Sequence, residues 1–200
     1  MGQYPEDLRE LVESYLDGLR FSESPATDGL EEAMRYSLLA GGKRTRPVLA
    51  LATARSIGLD PEGVLPAAAA IELIHTYSLI HDDLPAMDDD ELRRGMPTSH
   101  VEFGEDVAIL AGDALFAEAM RLFCVRQGGE PARVLAALGE LVSATGLGGM
   151  VGGQYVDVTT FDARDPEKAR EGLPPDPQGL RQMHALKTGR LIGASVGVVL

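Results

Sequence analysis

Apolar residues recur along most of the chain at the three- and four-residue spacing of a helix with one buried face. The pattern is clearest over residues 8–19. Paired glycines after residue 40 and after residue 127 are typical helix stops. Further helices are predicted over about 28–40, from Pro47, over about 66–81, over about 106–126, from Pro131 and from Gln178 to the end.

Signals for β-strands are scarce. Residues 156–159 could form a short strand, but it has no obvious partner, and the glycine run 146–153 fits no element. Residues 162–177 are rich in proline and charge and are predicted to form a surface loop. The sequence therefore predicts an all-α, bundle-like single domain over residues 1–200. Because the last apolar helix has no polar stop, we expect the domain to be truncated at its C-terminal end.

Composition excludes several classes of protein. The net charge of −13 argues against a nucleic-acid partner, because such proteins carry basic faces. The single cysteine, Cys124, cannot form an internal disulfide. No stretch of eighteen apolar residues is free of charge, so no stable membrane insertion is expected. The acidic, polar start resembles neither a signal nor a transit peptide, and a cytoplasmic location is expected.

The segment HDDLPAMDDDELRRG, residues 81–95, is the sharpest chemical feature. Like charges at this density repel, and either bulk solvent or divalent cations must offset the repulsion. The alternative is an acidic surface loop. An apolar helix delivers Asp82 and Asp83 from the core, however, and Pro85 must kink or end that helix, which favours a Mg²⁺ site. Six carboxylates fall within ten residues: Asp82, Asp83, Asp88, Asp89, Asp90 and Glu91.

Basic residues form a counterpart to this acidic run. The motif GGKRTRP, residues 41–47, places Lys43, Arg44 and Arg46 just before a predicted helix N-terminus, where anions bind. Plain solvation is the alternative for such a loop. His75 shares a helix face with Asp82 and is either a core histidine or a donor to a phosphate oxygen. The remaining basic candidates are Arg93, Arg94 and Lys187, whereas His81, His100 and His184 are expected to be structural.

Five motifs occur in a characteristic order: GGKRTRP, the Glu72–His75 pair, DDLPAMDDDELRRG, GGQYVD at 152–157 and KTG at 187–189. In this order and spacing they resemble the trans-isoprenyl diphosphate synthases, and most closely the bacterial farnesyl diphosphate synthases. The match extends from about residue 28 to the end. The resemblance implies an isoprenoid synthase-type helical bundle around a central cavity, usually a homodimer, with Mg²⁺ as cofactor.

The resemblance also implies roles for individual residues. Asp82 and Asp88 would hold Mg²⁺ on the diphosphate of the allylic substrate, with Asp83 supporting them. Gln154 would lie near that diphosphate, which Arg93, Lys187 and Thr188 would contact. The residues implied to bind the diphosphate of isopentenyl diphosphate are Lys43, Arg46, His75 and Arg94.

The implied reaction is the head-to-tail condensation of isopentenyl diphosphate with dimethylallyl or geranyl diphosphate. Metal ions and cations stabilise the departing diphosphate, the double bond attacks the allylic cation, and a proton is lost. No protein nucleophile is needed, and apolar walls keep water out. A short-chain product, farnesyl diphosphate, is expected. The alternatives are a geranylgeranyl or other chain-length synthase with the same site, and a non-catalytic isoprenoid-binding subunit.

One aromatic residue is a candidate for setting the length of the isoprenoid product. Tyr77 lies five residues before Asp82, about 7.5 Å along a helix. An aromatic residue at the position of Tyr77, together with two extra residues in the first Asp-rich motif, resembles the farnesyl type within the family. Tyr77 and its neighbour Ser78 are therefore the candidate chain-length residues. The alternative is that Tyr77 is ordinary core.

One family feature is missing from the 200 residues. No second DDxxD motif follows Asp90, and Asp162, Asp165 and Asp176 do not match it. One metal site would then be incomplete, so residues 1–200 alone are expected to be inactive and a longer natural chain active. Robust turnover by the 200-residue chain with Mg²⁺ and both substrates would refute this expectation. The loop over 162–177 looks long for the family and has no assigned role.

Overall fold

The structure, a computed structural model, describes residues 5–161 and 176–200 and is almost entirely helical, which confirms the all-α prediction. The chain divides into two units, Met1–Glu130 and Pro131–Leu200. The helices of the first unit are α1 Glu6–Gly18, α2 Asp28–Leu38, α3 Thr45–Ser56, α4 Leu65–Asp82, α5 Ser99–Phe103 and α6 Glu105–Arg121. Those of the second unit are α7 Pro131–Thr145, α8 Met150–Val156, α9 Pro177–His184 and α10 Arg190–Gly197.

Helix α4 is the core of the first unit. Its N-terminal half is a run of alanines followed by large aliphatic residues, including Ile71, Leu73 and Ile74, which are fully buried. Helices α6 and α3 pack against it. Each buried aliphatic side chain contributes about 1.5–3 kcal/mol relative to exposure. The helix that carries the Asp-rich motif is thus fixed by packing rather than by surface contacts.

A two-residue hairpin follows the acidic run and was not predicted. Strand β1 (Leu92–Arg93) pairs antiparallel with β2 (Met96–Pro97). Arg94 and Gly95 form the turn with φ values of 55° and 81°, the left-handed pair that a tight hairpin requires. The hairpin fixes the directions of the two adjacent arginines, Arg93 and Arg94.

The second unit is helical where a short strand seemed possible. Helix α8 continues into a π-helical segment, Asp157–Phe161, so the prediction of a strand at 156–159 is wrong. The Thr159 hydroxyl donates to the Tyr155 carbonyl four residues earlier, as a helical turn allows. The predicted last helix is present as α9 and α10, joined by a π-helical segment, Ala185–Gly189. The predicted loop falls mostly outside the described residues, and Asp176 caps α9.

By length and composition, two helical stretches of the described chain could cross a membrane: Pro61–Asp82 and Pro131–Thr159. The most apolar window of the first is 67% buried, and that of the second is 28% buried. Core helices of soluble proteins pass the same test, so these stretches are weak evidence for a span.

Candidate active site

The end of α4 brings Asp82 and Asp88 together. The helix ends at Asp82, three residues before Pro85, as the sequence predicts. The chain then turns back, and the Asp88 amide donates to the Asp82 carbonyl at 2.8 Å. Asp82 is half-buried and Asp88 is exposed. The two predicted metal-binding residues are therefore neighbours at the C-terminal end of α4.

Asp83 is engaged by Arg93. The carboxylate of Asp83 is buried and accepts a forked pair, with Arg93 Nε at 2.9 and 2.8 Å from its two oxygens and Nη2 at 2.5 Å from Oδ1. This bond raises the pKa of Arg93. Asp83 therefore anchors the hairpin to α4, which agrees with a supporting role. Contact between Arg93 and a diphosphate stays a prediction.

The carboxylates of Asp82 and Asp88 suit a Mg²⁺ ion that takes only part of its ligands from the protein. Among residues 5–161 and 176–200, no group of three or more His, Cys, Asp or Glu side chains is arranged to hold an ion. Mg²⁺ commonly takes only one or two carboxylates and completes its shell with water and substrate phosphate. Asp82 and Asp88 place two carboxylates at this turn, and they fit a metal that arrives with a diphosphate.

A second site lies at the start of α3. A cavity of about 520 Å³ is lined by Lys43, Arg46, His75 and Arg94, so the structure brings four predicted binding residues together. The Nε of Arg46 is buried and has no hydrogen-bond partner in the described chain, which is costly unless a ligand supplies one. Gly42 has φ 135°, a backbone conformation that side chains with a Cβ rarely adopt, and it lies against the Arg94 guanidinium. The cavity is thus built for an anion.

His75 carries no charge in this pocket at neutral pH. Burial, together with the positive charges of Arg46, Arg94, Arg93 and Arg44, lowers the pKa of His75 from 6.5 to about 3. A neutral imidazole can donate one hydrogen bond without adding to the repulsion among the arginines. Its position supports the predicted role as a donor to a phosphate oxygen.

His75 should make the unfolding free energy depend on pH. Below pH 6.5 the unfolded chain binds a proton that the folded chain excludes, so stability falls as the pH falls from 6.5 towards 3. We expect a loss of about 2 kcal/mol between pH 7 and pH 5 that His75→Gln does not show. Urea unfolding at both pH values measures it. The exposed His184, as His184→Gln, is the control, and identical pH dependence in wild type and His75→Gln would contradict the assignment.

Arg44, grouped with Lys43 and Arg46 in the sequence, also borders this cavity but differs from them in its contacts. Its side chain is buried and forms ion pairs with Glu13 on α1 and Glu72 on α4. The basic cluster therefore divides into Lys43 and Arg46 on one hand and, on the other, Arg44, whose buried guanidinium is paired with two carboxylates. Sequence spacing could not show this, because direction depends on the backbone of the loop.

The second unit brings the GGQYVD and KTG motifs together. Lys187 Nζ lies 2.7 Å from Asp157 Oδ2, and a Cβ on Gly153 would overlap the Lys187 backbone. Both polar atoms of the Gln154 amide are buried without a hydrogen-bond partner in the described chain, which again indicates a ligand. Thr188 is exposed. The pairing of Asp157 with Lys187 is a feature that sequence analysis missed.

Tyr77 lies in an aromatic cluster between α4 and α6. It is 8% exposed, and its ring meets those of His81 and Phe116 edge to face at centroid distances of 5.7 and 5.4 Å. Burial raises the pKa of Tyr77 to about 12, so the phenol stays neutral. Ser78 donates to the His75 carbonyl. Phe116 was not predicted; only the pairing of α4 with α6 reveals it.

Residues 27–200 match the sequence profile described as polyprenyl synthetase. The chain belongs to the polyprenyl synthetase family. Among curated relatives, the large subunit 1 of a chloroplastic heterodimeric geranylgeranyl pyrophosphate synthase from Arabidopsis thaliana is 47% identical over 93% of this chain and 48% of its own. Farnesyl diphosphate synthase of Bacillus subtilis is 44% identical over 84% of this chain and 54% of its own.

Solved structures of polyprenyl synthetases confirm the predicted fold. An FPP/GFPP synthase from Zymomonas mobilis matches with a TM-score of 0.86 and 38% identity, covering 97% of this chain and 67% of that one. A putative farnesyl-diphosphate synthase from Marinomonas gives 0.82 and 40%, covering 98% and 67%. The chain spans about half the length of the curated relatives that it matches.

Proposed function

We propose that the protein acts in head-to-tail prenyl transfer, joining isopentenyl diphosphate to dimethylallyl or geranyl diphosphate. The observation that carries the proposal is that the first unit contains two unlike groups of charged side chains, and each of them suits a diphosphate in a different way. One is the cationic cavity, where the Arg46 Nε is buried without a hydrogen-bond partner in the part of the chain that the structure describes, and the other is the carboxylate pair Asp82 and Asp88. Such a pair of sites suits a reaction in which one substrate keeps its diphosphate and the other loses it with the help of a metal.

The two sites divide the chemistry. The cationic pocket would hold isopentenyl diphosphate, whose diphosphate stays attached. Asp82 and Asp88 would hold Mg²⁺, and the bound metal supplies stabilisation of the charge that develops on the departing allylic diphosphate. The allylic C–O bond would break and release diphosphate, a C–C bond would form at the double bond of isopentenyl diphosphate, and the released diphosphate would accept the proton that is then lost. Arg93, kept in place by Asp83, would add positive charge beside the leaving group.

The product proposed is farnesyl diphosphate, with Tyr77 limiting its length. The relatives include both a farnesyl and several geranylgeranyl synthases, so a longer product is the alternative. The support for the shorter one is the buried ring of Tyr77, wedged against Phe116 one and a half turns before Asp82.

Tyr77→Ala should lengthen the product by at least one isoprene unit in an active form of the enzyme, because removing the ring opens space along α4. Chromatography of radiolabelled products measures the change. Ala69→Gly, buried two turns earlier on the same helix, is the control for a general weakening of α4. An unchanged product from Tyr77→Ala would show that another residue sets the length.

Isothermal calorimetry tests the proposed function through ligand binding, which does not depend on turnover. We expect isopentenyl diphosphate to bind in EDTA and geranyl diphosphate to bind only when Mg²⁺ is added. Binding of neither ligand, or equal dependence of both on Mg²⁺, would contradict the assignment of two unlike sites. A non-catalytic isoprenoid-binding subunit would bind geranyl diphosphate without Mg²⁺.

Homodimer formation is part of the proposal. Helix α6 leaves Ile109, Leu110 and Phe116 exposed by 43, 55 and 38% on one side, an apolar surface that a second copy could cover. One relative is described as the large subunit of a heterodimer, so a different subunit is the alternative partner. Light scattering of the purified chain distinguishes a dimer from a monomer.

A further inference from the structure

Arg44 is a buried arginine in the middle of a ligand-binding loop. Its neighbour Lys43 is exposed and Arg46 is half-buried at the cavity, yet the Arg44 side chain is 0% exposed. Its backbone has φ 50° and ψ 34°, the left-handed region. A residue with a Cβ stays in that region only when its surroundings hold it there.

The holding contacts come from three helices. Arg44 Nε and Nη2 lie 3.0 and 3.2 Å from the two carboxylate oxygens of Glu13 on α1. Its Nη1 donates to Glu72 Oε1 on α4 at 2.7 Å, and Nη2 donates to the carbonyl of Leu38, the last residue of α2, at 2.8 Å. One planar guanidinium therefore ties the loop to α1, α2 and α4 at once.

We propose that Arg44 is the positioning residue of the diphosphate pocket: by holding the left-handed turn that leads into α3, it aims Lys43 and Arg46 at the ligand. The inference rests on the proposed function, because it takes the pocket to be a diphosphate site. Arg44 itself acts through its two neighbours and through Glu72.

Glu72 gives Arg44 a second effect. The Glu72 carboxylate is 3% exposed and lines the same cavity as Arg46, whose charged form it favours. An acidic group here would repel a diphosphate and would attract the Arg46 guanidinium away from it. Arg44 neutralises this carboxylate at 2.7 Å and so leaves Arg46 available to the ligand.

Calorimetric titration of isopentenyl diphosphate in EDTA tests the inference. Arg44→Met should weaken binding about 30-fold, and Arg44→Lys about tenfold, because one ammonium group cannot bridge the same set of acceptors. Adding Glu72→Gln to Arg44→Met should restore affinity about fivefold, because the uncompensated carboxylate is then gone. The double variant also keeps the test available if Arg44→Met does not fold.

Arg35→Met is the matched control. Arg35 also ties segments together, donating to the Leu19 carbonyl and to Asp17, but it lies outside this pocket. It should lower the melting temperature and leave the dissociation constant unchanged. Equal weakening by Arg35→Met and Arg44→Met would overturn the positioning role, and no restoration by Glu72→Gln would overturn the neutralising effect of Arg44 on Glu72. If Arg46→Met also leaves binding unchanged, the pocket itself is wrongly assigned, and the proposed function fails first.

Discussion

Replacing Asp82 and Asp88 together by asparagine is expected to abolish the magnesium-dependent binding of geranyl diphosphate. The two residues are joined by a backbone hydrogen bond of 2.8 Å at the end of α4, whereas the neighbouring Asp83 carboxylate is already engaged by Arg93. Mg²⁺ binds carboxylate oxygens far better than amide groups in such sites. We expect affinity in Mg²⁺ to fall about a thousandfold, or about 4 kcal/mol.

Asp89→Asn is the matched control for this loss of charge. Asp89 is exposed in the same acidic run, with φ 56°, and asparagine tolerates that left-handed backbone well. It should leave affinity within about twofold of wild type. If Asp89→Asn weakened binding as much as the double variant, the acidic run would act by diffuse charge rather than through a metal held by two named residues.

Arg46→Met is expected to have the second largest effect, and at the other site. Its Nε is buried and has no hydrogen-bond partner among residues 5–161 and 176–200, so it is a donor that a diphosphate oxygen would satisfy. Removing a buried, charged partner of a ligand typically costs 2–5 kcal/mol, and we expect isopentenyl diphosphate to bind about 100-fold more weakly in EDTA. Calorimetry gives the dissociation constant.

Arg55→Met supplies the comparison on the same helix. Arg55 is exposed near the end of α3 and pairs with Asp7 at 2.5 Å on the surface. Arg55→Met removes the same positive charge as Arg46→Met but should not change the affinity for isopentenyl diphosphate. Geranyl diphosphate binding in Mg²⁺ should also survive Arg46→Met within about threefold. Loss of both ligands in Arg46→Met would mean that the two sites are one.

The helices were predictable because their apolar periodicity is strong. The boundaries of α2, α4 and α7 fall within a few residues of the prediction. The strand prediction at 156–159 failed because Val156 and Thr159, though β-branched, continue the helix that begins at α8. The β1–β2 hairpin was not predicted because strands of two residues are too short to show an alternation of apolar and polar residues. Its turn also needs Arg94 in a left-handed conformation, which the sequence does not indicate.

The sequence predicts which residues form the candidate site, but it does not predict the directions in which their side chains point. Lys43, Arg46, His75 and Arg94 line one cavity, as their motifs suggest. The inward turn of Arg44 depends on one backbone torsion and on acceptors from three helices, which spacing cannot encode. The forked bond between Asp83 and Arg93 likewise depends on the hairpin. Partners separated by many residues become visible only once the helices are packed.

Diffraction from crystals soaked with Mn²⁺ and pyrophosphate tests the central claim most directly, since Mn²⁺ substitutes for Mg²⁺ and has an anomalous signal. The account predicts a manganese peak about 2.2 Å from a carboxylate oxygen of Asp82 and of Asp88, with pyrophosphate oxygens in the same shell. Pyrophosphate bound with no manganese beside it, while both carboxylates face open solvent, would contradict the account.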